Sequence, residues 1–575
     1  MIVDIQNVTI EVIQPAKKLI LCKNLSFFIN PGETVGILGE SGSGKSMTAL
    51  SVLRLLPPSI KITQGKINFT RKDGSVVNLV EASYSELQGI RGKEISMVFQ
   101  EPMTSLNPAF SCGDQVLETI FQHQKILGKE AKKRVLELFE KVKLSDPQRI
   151  YTSYPHQLSG GQKQRVMIAI AISCNPGLLI ADEPTTALDV TVQKSILELL
   201  KEIQEEMKMA IIFITHDINV VAEIAKRLLV FYKGEIVEQG DVVNILEHPK
   251  HIYTQGLMNC RTSAYKKGQR LKTLDDANFG SDIRDMKVSD FVVDNRLFDL
   301  PVTSDSALSV KQERASILQI CNLNVSFSRY SGFFGHNSKN QILKNVSFEV
   351  FQGETLGLVG ESGSGKTTIG RSIMKLVESE SGDILYKGKK IDILTGNELR
   401  SFRKNVQIIF QDPYSSLNPK MTIGDMISEP LIVHGLFKDS NERKIRALKL
   451  LREVGLNEEY YNRYPHQSSG GQRQRIGIAR ALAVEPELII LDESVSALDV
   501  SIQAQILNLL NDLKREYNFT YIFISHDLNT VRFMADRVIV LKEGAVIEQG
   551  TSDGLFSNPQ NSYTRNLIFS TPGHR

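Results

Sequence analysis

The chain has 575 residues, enough for several hydrophobic cores; 68 Lys+Arg against 65 Asp+Glu leave a formal charge of +3, which gives no argument for nucleic acid as the main partner. With 23% charged and 41% hydrophobic residues the profile is that of an ordinary globular protein, and no run of about 18 uninterrupted apolar residues is present that could cross a bilayer as a helix. The five cysteines (Cys22, Cys112, Cys174, Cys260, Cys321) form no CxxC pair and no Cys/His cluster, which points to reduced thiols in a cytosolic compartment and away from structural zinc or iron-sulfur.

In chain order, Met1–Thr9 lacks the charged start and long apolar core of a secretion signal. Thr34–Leu38 reads as a strand feeding the glycine-rich loop Gly39-Glu40-Ser41-Gly42-Ser43-Gly44-Lys45-Ser46. A helix is predicted from Lys45 to Leu56, stopped by Pro57-Pro58. Gln100 follows the apolar Met97-Val98-Phe99, and Leu158-Ser159-Gly160-Gly161-Gln162 precedes a helical stretch over Gln162–Ser173. The strands Leu178–Ala181 and Ala210–Ile214 lead into Asp182-Glu183 and Thr215-His216-Asp217.

The same order then returns. Thr355–Val359 feeds Gly360-Glu361-Ser362-Gly363-Ser364-Gly365-Lys366-Thr367, Gln411 follows Ile408-Ile409-Phe410, and Ser468-Ser469-Gly470-Gly471-Gln472 opens a helix over Gln472–Val484. Strands Leu488–Leu491 and Tyr521–Ile524 lead into Asp492-Glu493 and Ser525-His526-Asp527. Later elements keep one offset (469−159, 492−182 and 526−216 are each 310), so a whole domain is repeated. The expected division is a first domain over 1–261, a flexible connector over 262–316 and a second domain over 317–575. The stretch Arg261–Arg314 carries ten Lys/Arg and nine Asp/Glu with little apolar periodicity. Short apolar runs flanked by helical stretches indicate α/β domains with a largely parallel sheet, each acidic or histidine residue sitting at the carboxyl edge where ligands bind.

Glycines let a loop turn many main-chain N–H groups inward onto phosphates, and a lysine reaches the outer ones. Both loops match this P-loop pattern, with Ser46 and Thr367 supplying a hydroxyl for Mg²⁺. Asp182 and Asp492 would hold the metal, while Glu183 and Glu493 can orient and deprotonate an attacking water. Gln100 and Gln411 could ligand Mg²⁺, and His216 and His526 could hydrogen-bond a terminal phosphate. Each Ser-Gly-Gly-Gln segment offers a second anion-binding helix start, so one domain has two anion sites but one P-loop lysine. The economical resolution is that each segment completes the other domain's P-loop.

Taken together, these residues resemble the ATP-binding cassette (ABC) ATPase family over nearly everything except the connector. The resemblance implies two tandem P-loop NTPase domains, each with a mostly parallel core sheet, an antiparallel β subdomain and an α-helical signature subdomain. It implies ATP and Mg²⁺ as cofactors, Glu183, His216, Glu493 and His526 as catalytic residues, and an internal pseudo-dimer with Asp189 and Asp499 at its interface. ATP would lie between the first P-loop and Ser469-Gly470-Gly471-Gln472, and between the second P-loop and Ser159-Gly160-Gly161-Gln162.

A narrower likeness, to the oligopeptide/dipeptide/nickel importer ATPases, rests on Gln100–Pro108, Gln411–Pro419 and the tails His248–Thr254 and Asn558–Thr564. It implies two permease subunits and an extracytoplasmic solute-binding protein as partners, no nucleic acid, and a peripheral place on the cytoplasmic face of the inner membrane. Ser468 stands where this family usually has Leu, and its adenine-stacking aromatic matches Phe327 in the second copy but falls near Val12 in the first. The rival is a twin-cassette translation or DNA-repair factor. Such factors carry basic linkers or zinc insertions, which the near charge-balanced connector does not match.

Overall fold

The computed structural model describes residues 1–13, 18–100, 105–186, 188–274, 315–329, 338–412, 416–496 and 498–571. They form two compact units, built on Met1–Met258 and Asn259–Thr571.

The first unit is centred on a six-stranded sheet in the order Glu235–Asp241, Arg227–Tyr232, Thr34–Leu38, Ala210–Thr215, Leu178–Asp182, Ile95–Val98. All neighbours are parallel except the first pair. Every residue of Thr34–Leu38, Leu178–Asp182 and Ala210–Thr215 is buried, which is why these strands read as continuous apolar runs without alternation. Gly36 is required there: a β-carbon would meet the Val221 side chain at 2.2 Å, because the helix Ile218–Ile224 lies directly on the strand. An antiparallel sheet in the order Lys18–Ile29, Val3–Ile13, Ile60–Thr70, Val76–Asn78 packs its apolar face into the same core. Helices Cys112–Gln124, Gly128–Lys141, Pro147–Thr152 and Gly160–Ile172 form a helical layer over a second core around Val116, Phe139 and Val166.

The second unit repeats this plan, with a core sheet in the order Val406–Ile409, Leu488–Asp492, Thr520–Ile524, Thr355–Val359, Arg537–Lys542, Ala545–Thr551 and an antiparallel sheet built on Ser316–Arg329 and Ser338–Phe351. Its first five strands are parallel and the last pair antiparallel.

Two boundaries differ from the sequence reading. The helix after the first P-loop ends at Val52, not Leu56. Its end is fixed from outside: the Arg91 guanidinium donates to the Leu53 and Arg54 carbonyls at 2.8 and 2.9 Å, and Arg54 turns left-handed at φ 49°. The second difference concerns the connector. Residues 259–274 are ordered and pack within the second unit, whereas 275–314 lie outside the described residues. Among the described residues no helix is long and apolar enough to cross a membrane.

Candidate nucleotide-binding sites

Sheet order assembles the first site. Thr34–Leu38, Ala210–Thr215, Leu178–Asp182 and Ile95–Val98 are consecutive parallel neighbours, so their carboxyl ends deliver the P-loop, His216, Asp182-Glu183 and Gln100 side by side. Gly42 and Gly44 take φ of 80° and 102°, a region open to glycine, and Gly44 starts the helix Lys45–Val52. The Lys45 ammonium spans the loop, donating to the Gly39 and Glu40 carbonyls at 2.7 and 2.8 Å. The Ser46 hydroxyl donates to Asp182 Oδ1 at 3.2 Å.

Around Glu183 the contacts converge on one oxygen. Gln100 Nε2, the Thr186 hydroxyl and His216 Nδ1 lie 3.2, 2.9 and 3.1 Å from Glu183 Oε2. Burial works to raise this carboxyl, but the hydrogen bond and charge of His216 and the Thr186 hydroxyl outweigh it and bring it down to about 2. Asp182, one residue earlier, is pushed up to about 6 by burial that the Ser46 hydrogen bond only partly offsets. Glu183 has φ 48°, a conformation costly for a residue with a β-carbon and one that accumulates at functional sites.

The second site reproduces this geometry. Lys366 donates to the Gly360 and Glu361 carbonyls at 2.7 and 2.9 Å, and Thr367 to Asp492 Oδ1 at 2.9 Å. Gln411 Nε2 and His526 Nδ1 lie 2.8 and 3.3 Å from Glu493 Oε2, and Glu493 has φ 47°. Burial raises Asp492, while at Glu493 the His526 contact overcomes burial and lowers it. One partner is missing. Ser496, at the position of Thr186, donates to the Glu493 main-chain oxygen and not to its carboxylate.

In each unit the structure thus brings together the P-loop, Gln, Asp, Glu and His, with the imidazole set against the glutamate. Ser159–Gln162 and Ser469–Gln472 stand apart, and among the described residues no hydrogen bond joins them to the P-loop of their own unit. Both are helix starts closed by a capping box: Ser159 Oγ accepts from Gln162 N at 3.3 Å while Gln162 Oε1 accepts from Ser159 N at 3.0 Å, and Ser469 and Gln472 repeat the exchange. The box occupies the flanking nitrogens and aims the Gly160, Gly161, Gly470 and Gly471 amides along the axis out of the helix, an anion-binding arrangement. Phe327 is about half exposed on the strand Ser316–Arg329, with Asn340 opposite. Val12 sits opposite Leu19 in the corresponding hairpin of the first unit.

Two further contributors lie in the tails His248–Thr254 and Asn558–Thr564, to which the sequence reading gave no role at the site. Tyr253 and Tyr563 accept hydrogen bonds from the P-loop nitrogens of Glu40 and Glu361, each at 3.2 Å. Their recurrence at the 310-residue offset was the available clue. Thr186 was hidden because hydroxyl residues after an Asp-Glu pair are common in turns.

The ABC transporter family model matches residues 22–186 and 343–496, and the model for the oligopeptide/dipeptide transporter C-terminal region matches 237–280. The glutathione import ATP-binding protein GsiA of Shigella dysenteriae serotype 1 is 46% identical over 574 residues, covering 99% of this chain and 89% of the relative. GsiA of Escherichia coli (strain K12) is 45% identical over the same shares. Among solved structures, a dimeric ATP-binding cassette in a post-hydrolysis state with ADP and phosphate is 33% identical, with 42% of this chain and 98% of that chain covered and a TM-score of 0.37. Matched twice by the family model and over nearly its whole length by ATP-binding proteins of importers, the chain belongs to the ABC transporter family as an ATP-hydrolysing subunit.

Proposed function

We propose that this chain powers the import of glutathione or a similar short peptide, as a motor held on the cytoplasmic face of the cell membrane by two permease subunits and served by an extracytoplasmic solute-binding protein. The observation that carries this reading is the 46% identity to a glutathione import ATP-binding protein across 99% of the chain. The match to an oligopeptide/dipeptide transporter tail at 237–280 supports the same substrate class.

In this reading the amides of Gly39–Ser46 and Gly360–Thr367 cradle the phosphates, and Lys45 and Lys366 move from loop carbonyls onto the outer phosphate oxygens. The oxygen-only set of Ser46, Asp182 and Gln100, and of Thr367, Asp492 and Gln411, suits a hard divalent cation. The Ser46–Asp182 and Thr367–Asp492 contacts of 3.2 and 2.9 Å support this reading by holding a hydroxyl beside a carboxylate in each unit. Bound Mg²⁺ would offset phosphate charge. Glu183 and Glu493 orient and deprotonate the attacking water, and His216 and His526 fix those carboxylates while turning toward the terminal phosphate. Phe327 stacks on the adenine of the second nucleotide. The Ser159–Gln162 and Ser469–Gln472 helix starts each bind the phosphates of the other cassette's nucleotide, so that ATP draws the two cassettes together and hydrolysis releases them.

Uptake in cells tests the transport reading. A strain lacking this chain should lose accumulation of labelled glutathione or dipeptide, regain it with the wild-type chain, and fail to regain it with Glu183→Gln/Glu493→Gln. Unchanged accumulation of both solutes without the chain contradicts the assignment.

A further inference from the structure

Residues 259–274 follow the first unit in sequence, and the transporter-tail match over 237–280 counts them with it, yet they pack within the second unit. The seat is specific. Leu271 is fully buried, its N–H donates to Asn508 Oδ1 at 2.9 Å, and its carbonyl accepts from Asn508 Nδ2 at 2.8 Å. A side-chain amide is suited to this because it presents one donor and one acceptor in a plane, the complement of a residue's own N–H and C=O. Asn508 is itself buried in the helix Val500–Tyr517.

Charged contacts flank this clamp. Arg270 Nη1 lies 2.7 Å from Asp512 Oδ2, Arg515 donates to the Gly268 carbonyl at 3.0 Å, and Lys267 pairs with Asp536. Asp536 also accepts from Lys514 at 3.1 Å and from the Thr355 nitrogen at 2.7 Å, so the segment ends in a network at the foot of the strand that leads to the second P-loop.

The repeat supplies an internal control. At the 310-residue offset, the helix Val190–Met207 of the first unit carries Glu198, Glu202 and Glu205 in place of Asn508, Asp512 and Arg515, and Lys226 in place of Asp536. Glu198 is exposed and has no amide to donate, and Lys226 would repel Lys267. Among the described residues, the matching positions of the first cassette lack this receptor.

We propose that the Asn508 face of the second cassette is a built docking site for residues 259–274, so that this segment, continuous in sequence with the first cassette, is anchored on the second. The occupant is this chain's own segment, and the asymmetry of the receptor fixes which cassette gives the tail and which receives it.

The test cuts the connector. A specific protease site is inserted within 275–314 of the full chain, the protein is nicked without nucleotide or Mg²⁺, and association of the two pieces is measured by sedimentation. The wild-type pieces should stay together. Leu271→Asp, which puts a charge into the buried seat, and Asn508→Asp, which keeps the shape but turns the donor into an acceptor, should each weaken association roughly tenfold or more. Arg270→Glu should weaken it about threefold and Asp512→Arg in the same chain should restore it, a swap of partly exposed side chains that spares the core. Wild-type pieces that separate on nicking overturn the proposal. So does association unaffected by Leu271→Asp and Asn508→Asp, because another surface would then be holding the pieces, and so does a charge swap that fails to restore.

Discussion

The Tyr253 hydroxyl accepts a hydrogen bond from the Glu40 main-chain nitrogen at 3.2 Å, across 213 residues of sequence. The ring is almost wholly buried against Tyr232, with centroids 4.3 Å apart, and Glu238 anchors the approach by accepting from the Lys250 and His251 nitrogens at 2.8 and 3.1 Å. The tail after each core sheet therefore braces the loop that we assign to the phosphates. Tyr253→Phe keeps the packed ring and removes the acceptor. Nucleotide affinity at the first site should fall about fivefold with the fold intact, as read by nucleotide titration and a melting curve. Tyr563→Phe should do the same at the second site, and unchanged affinity in both variants contradicts the brace.

Thr186 makes the two glutamates inequivalent. Its hydroxyl reaches the Glu183 carboxylate at 2.9 Å, while Ser496 spends its hydroxyl on a main-chain oxygen. Thr186→Val should slow phosphate release about threefold to tenfold in a chain whose second site is disabled by Glu493→Gln. Ser496→Ala in the reciprocal background should change little. Equal effects of the two substitutions contradict the asymmetry.

The hairpins beside the P-loops differ in the same way. Phe327 offers an exposed ring in the second unit, whereas the first presents Val12 opposite Leu19. Phe327→Ala should weaken nucleotide binding at the second site roughly tenfold, the scale of one base stacked on one aromatic ring. Val12→Ala should leave binding nearly unchanged, and titration with a fluorescent ATP analogue distinguishes the two.

Burial sets thiol reactivity. Cys22 and Cys112 are pushed up to about 11 and Cys174 is raised, all by desolvation; Cys260 is buried, and Cys321 is exposed. Alkylation of the native protein near pH 7 should modify Cys321 alone, with all five reacting in denaturant, as counted by intact mass. Rapid labelling of a second cysteine in the native state contradicts the burial pattern.

Most of each site was legible because its parts are local: a strand, a turn and the residue at the strand's end. Asp182 and Asp492 prove to be the last residues of their strands, where the apolar runs pointed, and Ser159 and Ser469 cap the expected helices. What stayed hidden depends on distant partners. The Lys45 helix stops early because Arg91, far along the chain, takes its terminal carbonyls. The polar composition of 262–274 resembled a linker because only Leu271 and Leu274 are buried among charged neighbours whose partners lie more than two hundred residues away. The rest of the expected connector, 275–314, lies outside the described residues.

Phosphate release by Glu183→Gln, Glu493→Gln and the double variant tests the central claim most directly, with ATP binding measured on the same samples. The account predicts that the double variant binds ATP close to wild-type affinity while its turnover falls at least about a hundredfold, the scale of a lost general base. Wild-type phosphate release from the double variant would contradict it.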